Sequence, residues 1–189
     1  MTKEEQIKID CWDKSLHALG TSYVFSQKLK DYKTGIRIIT VLVLVVPILL
    51  GGTVMAYGKD SCLLDILIAI TAPVVVIHLV LAIISLIYKW DDKLAYSLES
   101  QTDNRIISEE YENLAKFLPT NINELEKRFE IIKTKDNARA TQDEKISFSV
   151  KDNRKGMRYA LWIRQKECAT CKKIPPSMKP TDCETCGKI

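Results

Sequence analysis

The sequence predicts an all-α membrane protein: a two-transmembrane helical hairpin with cytosolic helices and a small C-terminal zinc ribbon or knuckle. Three observations carry this reading. Two apolar stretches, Ile38–Tyr57 and Ile66–Tyr88, hold no charged side chain apart from the titratable His78. The rest of the chain is polar enough to bring the mean hydropathy to −0.07. Two CxxC pairs stand close together near the end.

The apolar stretches define the organisation. About 20 residues at ~1.5 Å rise cover a ~30 Å hydrocarbon core, so each stretch is long enough to cross. Gly58-Lys59-Asp60-Ser61 between them is too short to be anything but a turn. The expected divisions are a cytosolic amphipathic helix over 1–35, the hairpin over 36–88, a helical region over 89–166 and a metal module over 167–189. Within the hairpin the spans are expected at 36–57 and 63–88. Met1 to Glu5 leads into a polar helix, so no cleavable signal is expected.

Basic residues orient the hairpin. Lys28, Lys30, Lys33 and Arg37 precede the first span and Lys89 and Lys93 follow the second, whereas the turn offers Lys59. Both termini are therefore expected in the cytosol, with the turn outside. The clustered cysteines then lie in a reducing compartment, where metal binding is favoured over disulfides. A net charge of +4 gives no argument for a nucleic-acid partner.

In the N-terminal helix Trp12, Leu16, Leu19 and Tyr23 form an apolar stripe, either packed on neighbouring helices or lying on a membrane surface. Thr34-Gly35 is expected to break this helix. Pro47 in the first span and Pro73 in the second each free a carbonyl four residues back and are candidate hinges. Gly52 and Ala56 make a small-residue pair, read first as a seam between the two spans of one subunit. Thr71, His78 and Ser85, spaced by seven, share one face of the second span. Counting ~1.5 Å per residue from Tyr88 puts His78 about 15 Å deep. Intramembrane ionisable groups are functional candidates, so this face is either a pore or gating surface or a hydrogen-bonded helix seam.

Val74 through Leu118 holds no glycine or proline, so the second span is expected to continue as one rigid helix to a turn at Gln101–Asn104. Ile107, Tyr111, Leu114 and Leu118 mark the next helix face. Asn121 with Glu124 resembles a capping box ahead of Ile122, Leu125, Phe129 and Ile132. Lys133–Lys145 is almost wholly polar and is left without an assignment; Ile146, Val150, Met157 and Leu161 fit a last helix. Arg154, Lys155, Arg158 and Arg164 on that segment are candidate phosphate contacts, weighed against a solvated basic helix near an anionic leaflet.

Cys168-Ala-Thr-Cys171, eleven residues, then Cys183-Glu-Thr-Cys186-Gly187 is the sharpest chemical signal. Four thiolates in two CxxC pairs supply a tetrahedral structural zinc site with no ligand position open for catalysis. Gly187 is expected to allow a tight turn, its amide pointing at a thiolate. His17 and His78 fall on different sides of the membrane boundary, and nothing gathers a nucleophile, a base and a pocket. An enzyme is not expected.

The hairpin, with a Trp-bearing helix before it and a helix continuing beyond it, resembles the SLATT two-transmembrane effector domain. The tail, with its eleven-residue gap and internal Pro175-Pro176-Ser177-Met178-Lys179-Pro180, is similar to the mobilome CxxCx(11)CxxC proteins. The SLATT resemblance implies a bacterial inner (plasma) membrane effector of conflict or antiviral defence systems, released by a regulatory protein or nucleotide signal to form pores. It brings no catalytic residues, and no phosphate-binding loop is present in this sequence. Two helices cannot enclose water, so a pore requires a homo-oligomer in the lipid bilayer. The competing expectation is a membrane-tethered zinc module that docks a protein or nucleic-acid partner, the hairpin serving only as an anchor.

Overall fold

A computed structural model of the chain describes residues 2–58, 60 and 62–189. Lys59 and Ser61 of the expected turn lie outside the described residues. The described residues form five helices and no strand: α1 Lys3–Tyr57, α2 Cys62–Ile87, α3 Trp90–Lys116, α4 Ile122–Asp143 and α5 Val150–Arg164. They divide into two compact units, one of Met1–Lys28 with Ser97–Ile189 and the other of Leu29–Tyr96.

In the first unit α1 and α3 run antiparallel along a seam of small polar residues. Ser15 and Ser108 exchange hydrogen bonds, each hydroxyl donating to the other's carbonyl at 3.0 and 2.8 Å. One helical stretch further on, the Ser22 hydroxyl donates to the Gln101 carbonyl at 2.8 Å. Short hydroxyl side chains permit this approach, and each buried hydroxyl in these pairs is satisfied. Ile7, Cys11 and Ala18 of α1, Ile107, Tyr111 and Leu114 of α3, and Leu125, Phe129 and Ile132 of α4 build the main core. The Trp12, Leu16 and Tyr23 stripe lies beside this buried face and is covered by C-terminal residues. Lys166 stands 4.4 Å above the Trp12 ring, and Tyr23 stacks on Tyr159 with centroids 4.2 Å apart.

The polar stretch left unassigned in the sequence is helical through Asp143. Its anchor is Arg139, only 4% exposed, which reaches Asp143, Glu99 and Asp103 at 2.9 to 3.0 Å. Asp143 in turn accepts from Ser100 at 2.8 Å and Asn104 at 2.7 Å. Such a network holds α4 on α3 where an apolar pattern is missing. The proposed turn at Gln101–Asn104 does not exist; α3 passes straight through it, because Asn104 and Ser100 face this network. Asn121 does cap α4, accepting from the Asn123 amide, while Glu124 pairs with Arg128 instead of closing a box.

The second unit contains both apolar stretches. They lie in helices long and apolar enough to cross a membrane, with 0% and 6% of their most apolar windows buried. Two expectations fail here. Thr34-Gly35 does not interrupt α1: the missing side chain of Gly35 makes room for the Trp90 ring, whose nearest atom would lie 2.6 Å from an added Cβ. A mid-helix glycine costs only about 1 kcal/mol relative to alanine, which such packing offsets. Nor does α2 continue into α3. Lys89 adopts the left-handed conformation at φ 50°, and the Lys89 amide bonds back to the Leu86 carbonyl at 3.2 Å. Absence of glycine did not guarantee continuity, since a single lysine with an exposed side chain accepts that backbone.

Along α1 the less exposed span residues are Ile39, Leu42, Val46, Leu50 and Thr53. Along α2 they are Leu64, Leu67, Thr71, Val74, His78, Leu81, Ala82, Ile84 and Ser85. Both sets follow the 3–4 spacing of a helix packed on one side. Gly52 and Ala56 are exposed, and a Cβ added at Gly52 would meet nothing within 4 Å. The small pair is therefore not the seam between these spans, which larger side chains make.

Candidate metal centre

The C-terminal segment folds as two matching knuckles. In the first, Lys172 takes φ 55° and its amide donates to the Cys168 carbonyl at 2.8 Å. In the second, the Gly187 amide donates to the Cys183 carbonyl at 2.8 Å. Each CxxC pair is thus closed by the same bond from the residue after its second cysteine. Gly187 is required for space, because an added Cβ would lie 2.6 Å from the Cys183 nitrogen and 2.5 Å from the Thr181 carbonyl. Its amide does not point at a sulfur as expected; the amides of Thr185 and Cys186 do so for Cys183.

The knuckles face each other. Thr170 and Thr185 touch through their hydroxyls at 2.6 Å, Cys168 Sγ lies 3.9 Å from Cys183 Sγ, and Cys171 Sγ lies 3.8 Å from Cys186 Sγ. All four sulfurs fall within 4.8 Å of one another. A tetrahedral ion with ~2.3 Å bonds to sulfur sets its ligands about 3.8 Å apart. The donor set and its spacing fit one soft divalent ion held by Cys168, Cys171, Cys183 and Cys186. Amide hydrogen bonds from Cys186 and Thr185 pull the Cys183 thiol down to about 6, whereas burial and the neighbouring thiols push Cys186 up. Without strands among the described residues, the module is a pair of knuckles and not a ribbon.

The centre is packed into the first unit. Cys168 and Cys186 are buried with Leu161 of α5, and Leu16 of α1 and Met157 of α5 close over them. Beneath this contact α1 and α5 cross at Gly20 and Gly156. Helix α5 begins in a capping box that the sequence reading missed: the Asp152 amide donates to the Ser149 hydroxyl, and the Ser149 amide to the Asp152 carboxylate, both at 3.1 Å. The Ser149-x-x-Asp152 spacing carried that signal.

The four candidate phosphate contacts are mostly engaged within the chain. Arg154 pairs with Glu184 at 3.2 Å, Arg164 pairs with Glu112, and Arg158 is 2% exposed with its donors on loop carbonyls. Lys155 is exposed. In the hairpin unit Pro47 and Pro73 lie within unbroken helices and are exposed. Thr71 is buried, its hydroxyl donating to the Leu67 carbonyl at 2.7 Å, while His78 and Ser85 are half-buried on the same face. His78 Nε2 is buried without a hydrogen-bond partner among the described residues.

These features define a chain whose described residues are all-helical, with two candidate membrane spans and a C-terminal four-cysteine cluster that could hold a metal ion. The chain belongs to the Mobilome CxxCx(11)CxxC protein family, whose profile matches residues 8–189. No curated protein and no solved structure matches it.

Proposed function

We propose that the chain is an oligomeric membrane effector that forms pores or otherwise perturbs the bilayer, in a bacterial conflict or defence system linked to mobile elements. The observation that carries this reading is the exposure of both spans: Leu44, Ile48, Ile70, Ile77 and Ile83 are 56 to 69% exposed on helices whose flanks are polar. Faces this apolar require lipid or further copies of the chain. Membership of a mobilome family supports the setting, and the resemblance to SLATT effectors supplies the pore-forming class. On this reading the hairpin sits in the inner membrane with both termini cytosolic, and no catalytic residue is needed.

The Thr71, His78 and Ser85 face is the polar surface available to line a passage. In the single chain it is turned toward lower exposure, so lining requires the hairpin to open or exchange partners. The unpartnered His78 Nε2 supports such a second arrangement, in which it meets water or another subunit. A regulatory protein or nucleotide signal would act on the other unit. There the ion would be zinc, in a structural role: the knuckles are docked on α1 and α5, which favours an intrachain staple over a partner-docking head.

Exchanging 36–88 for an unrelated two-pass anchor tests the proposal. A membrane-potential dye should report depolarisation when the native chain is expressed and none with the exchanged hairpin. Equal depolarisation by both chains would make the hairpin a mere anchor.

A further inference from the structure

A buried arginine close to the cysteine cluster has no acidic partner. Arg158 is 2% exposed on α5, yet among the described residues it forms no ion pair. Its Nε donates to the Ser177 carbonyl at 2.7 Å, and Nη1 donates to the Cys186 carbonyl at 2.9 Å and to Thr181 Oγ1 at 3.4 Å. Neutral acceptors take the Nε and Nη1 hydrogens but leave the charge uncompensated, which is costly in a low-dielectric interior. The other buried arginine, Arg139, is paired with three carboxylates.

The missing negative charge lies across the same cavity. Arg158 lines it together with Cys171, Cys183 and Cys186. Four thiolates around one divalent ion leave two negative charges on the centre, and a tetrathiolate buried without a cation is as unfavourable as the arginine alone. Lys173 and the carboxylate of Asp182 also line the cavity, but both residues are exposed, so water screens their charges, and Asp182 makes no ion pair with Arg158 among the described residues.

We propose that Arg158 is the counter-charge of the metal centre. Its guanidinium offsets the negative charge of the four-thiolate site, while its bonds to the Ser177 and Cys186 carbonyls hold the proline-bearing loop around the cysteines. This deepens the metal reading and rests on it. Arg158 is a positioning and electrostatic residue and not a ligand.

The test titrates the full chain in detergent with zinc against a chromophoric chelator, comparing the native protein with Arg158→Lys and Arg158→Gln. Removing a group outside the ligand shell costs roughly 10–100-fold in metal affinity. Arg158→Gln should lose at least ~10-fold. Arg158→Lys, which keeps the charge but not the fork, should recover most of that loss. With cobalt(II), the sulfur-to-metal charge-transfer band should shift in Arg158→Gln and not in Arg158→Lys. If both variants bind as the native chain does, or if Lys loses as much as Gln, the counter-charge role is overturned. If the native chain itself takes up no zinc or cobalt, the metal reading fails, and this inference with it.

Discussion

Gly20 and Gly156 let α1 and α5 meet backbone to backbone: a Cβ built on Gly156 would stand 2.6 Å from the Gly20 carbonyl oxygen, and one on Gly20 would stand 3.0 Å from the Gly156 carbonyl. This crossing brings Leu161 and Met157 of α5 into one cluster with Leu16 of α1 around the cysteines. Gly156→Ala should therefore destabilise the first unit by about 1–3 kcal/mol, the usual cost of overpacking a tight contact. Chemical denaturation followed by Trp12 and Trp162 fluorescence would report it. Gly51→Ala, where an added Cβ meets nothing within 4 Å, should leave the same transition unmoved.

The Arg139 cluster makes a second, graded prediction. Asp143 is buried and its carboxylate oxygen lies 2.9 Å from Arg139, so Asp143→Ala leaves a buried cation short of its best partner. About 3 kcal/mol of stability should be lost. Glu99 contacts the same guanidinium but is 59% exposed, and its removal should cost no more than about 1 kcal/mol. Equal losses at the two positions would show that burial does not rank these contacts.

The capping box of α5 gives a pH dependence. Burial opposes ionisation of Asp152, but hydrogen bonds from Ser149, aided by Lys28 and Lys155, outweigh it and hold the carboxyl below its ordinary value. A depressed carboxylate stabilises the fold fully above its unfolded value, near ~3.9. That contribution fades as pH falls through the lower folded value. Ser149→Ala should cost about 1 kcal/mol at neutral pH and flatten the acid limb of a stability-versus-pH curve. A variant as acid-sensitive as the native chain would contradict the assignment.

Metal removal should act locally. The knuckles have little core beyond Cys168, Cys186 and Leu161, so a bound ion would supply much of their folding energy. A strong chelator should expose Cys168 and Cys186 to thiol reagents and open the 172–182 loop to protease. Helices α3 and α4, which have their own core, should keep their hydrogen-exchange protection. Cys171→Ser should reproduce the chelator's effect without it.

Two kinds of feature separate at the level of sequence. The apolar stretches and the CxxC spacing are strong because each reports one local requirement, a charge-free length or a ligand pair; the structure puts both stretches in long apolar helices and brings the four cysteines together. The faces of α3 and α4 were also legible from Ile107, Tyr111, Leu125 and Phe129, since helical periodicity needs no knowledge of the partner. What stayed hidden depends on long-range contacts. Gly35 reads as a breaker until Trp90 is seen against it, and Lys89 gives no sign of its left-handed backbone. Lys133–Lys145 looks like loop because α4 is held there by Arg139 and not by apolar residues. Arg158 reads as one basic residue among several until burial isolates it beside the cysteines.

Ion release from sealed vesicles tests the central claim most directly. The full chain, reconstituted into potassium-loaded vesicles of bacterial lipid and shown by protease protection to be inserted through both spans, should release potassium in a dose-dependent way with a steepness reflecting several subunits. Vesicles that stay tight at every density, with the hairpin demonstrably inserted, would contradict the account and leave a membrane anchor in its place.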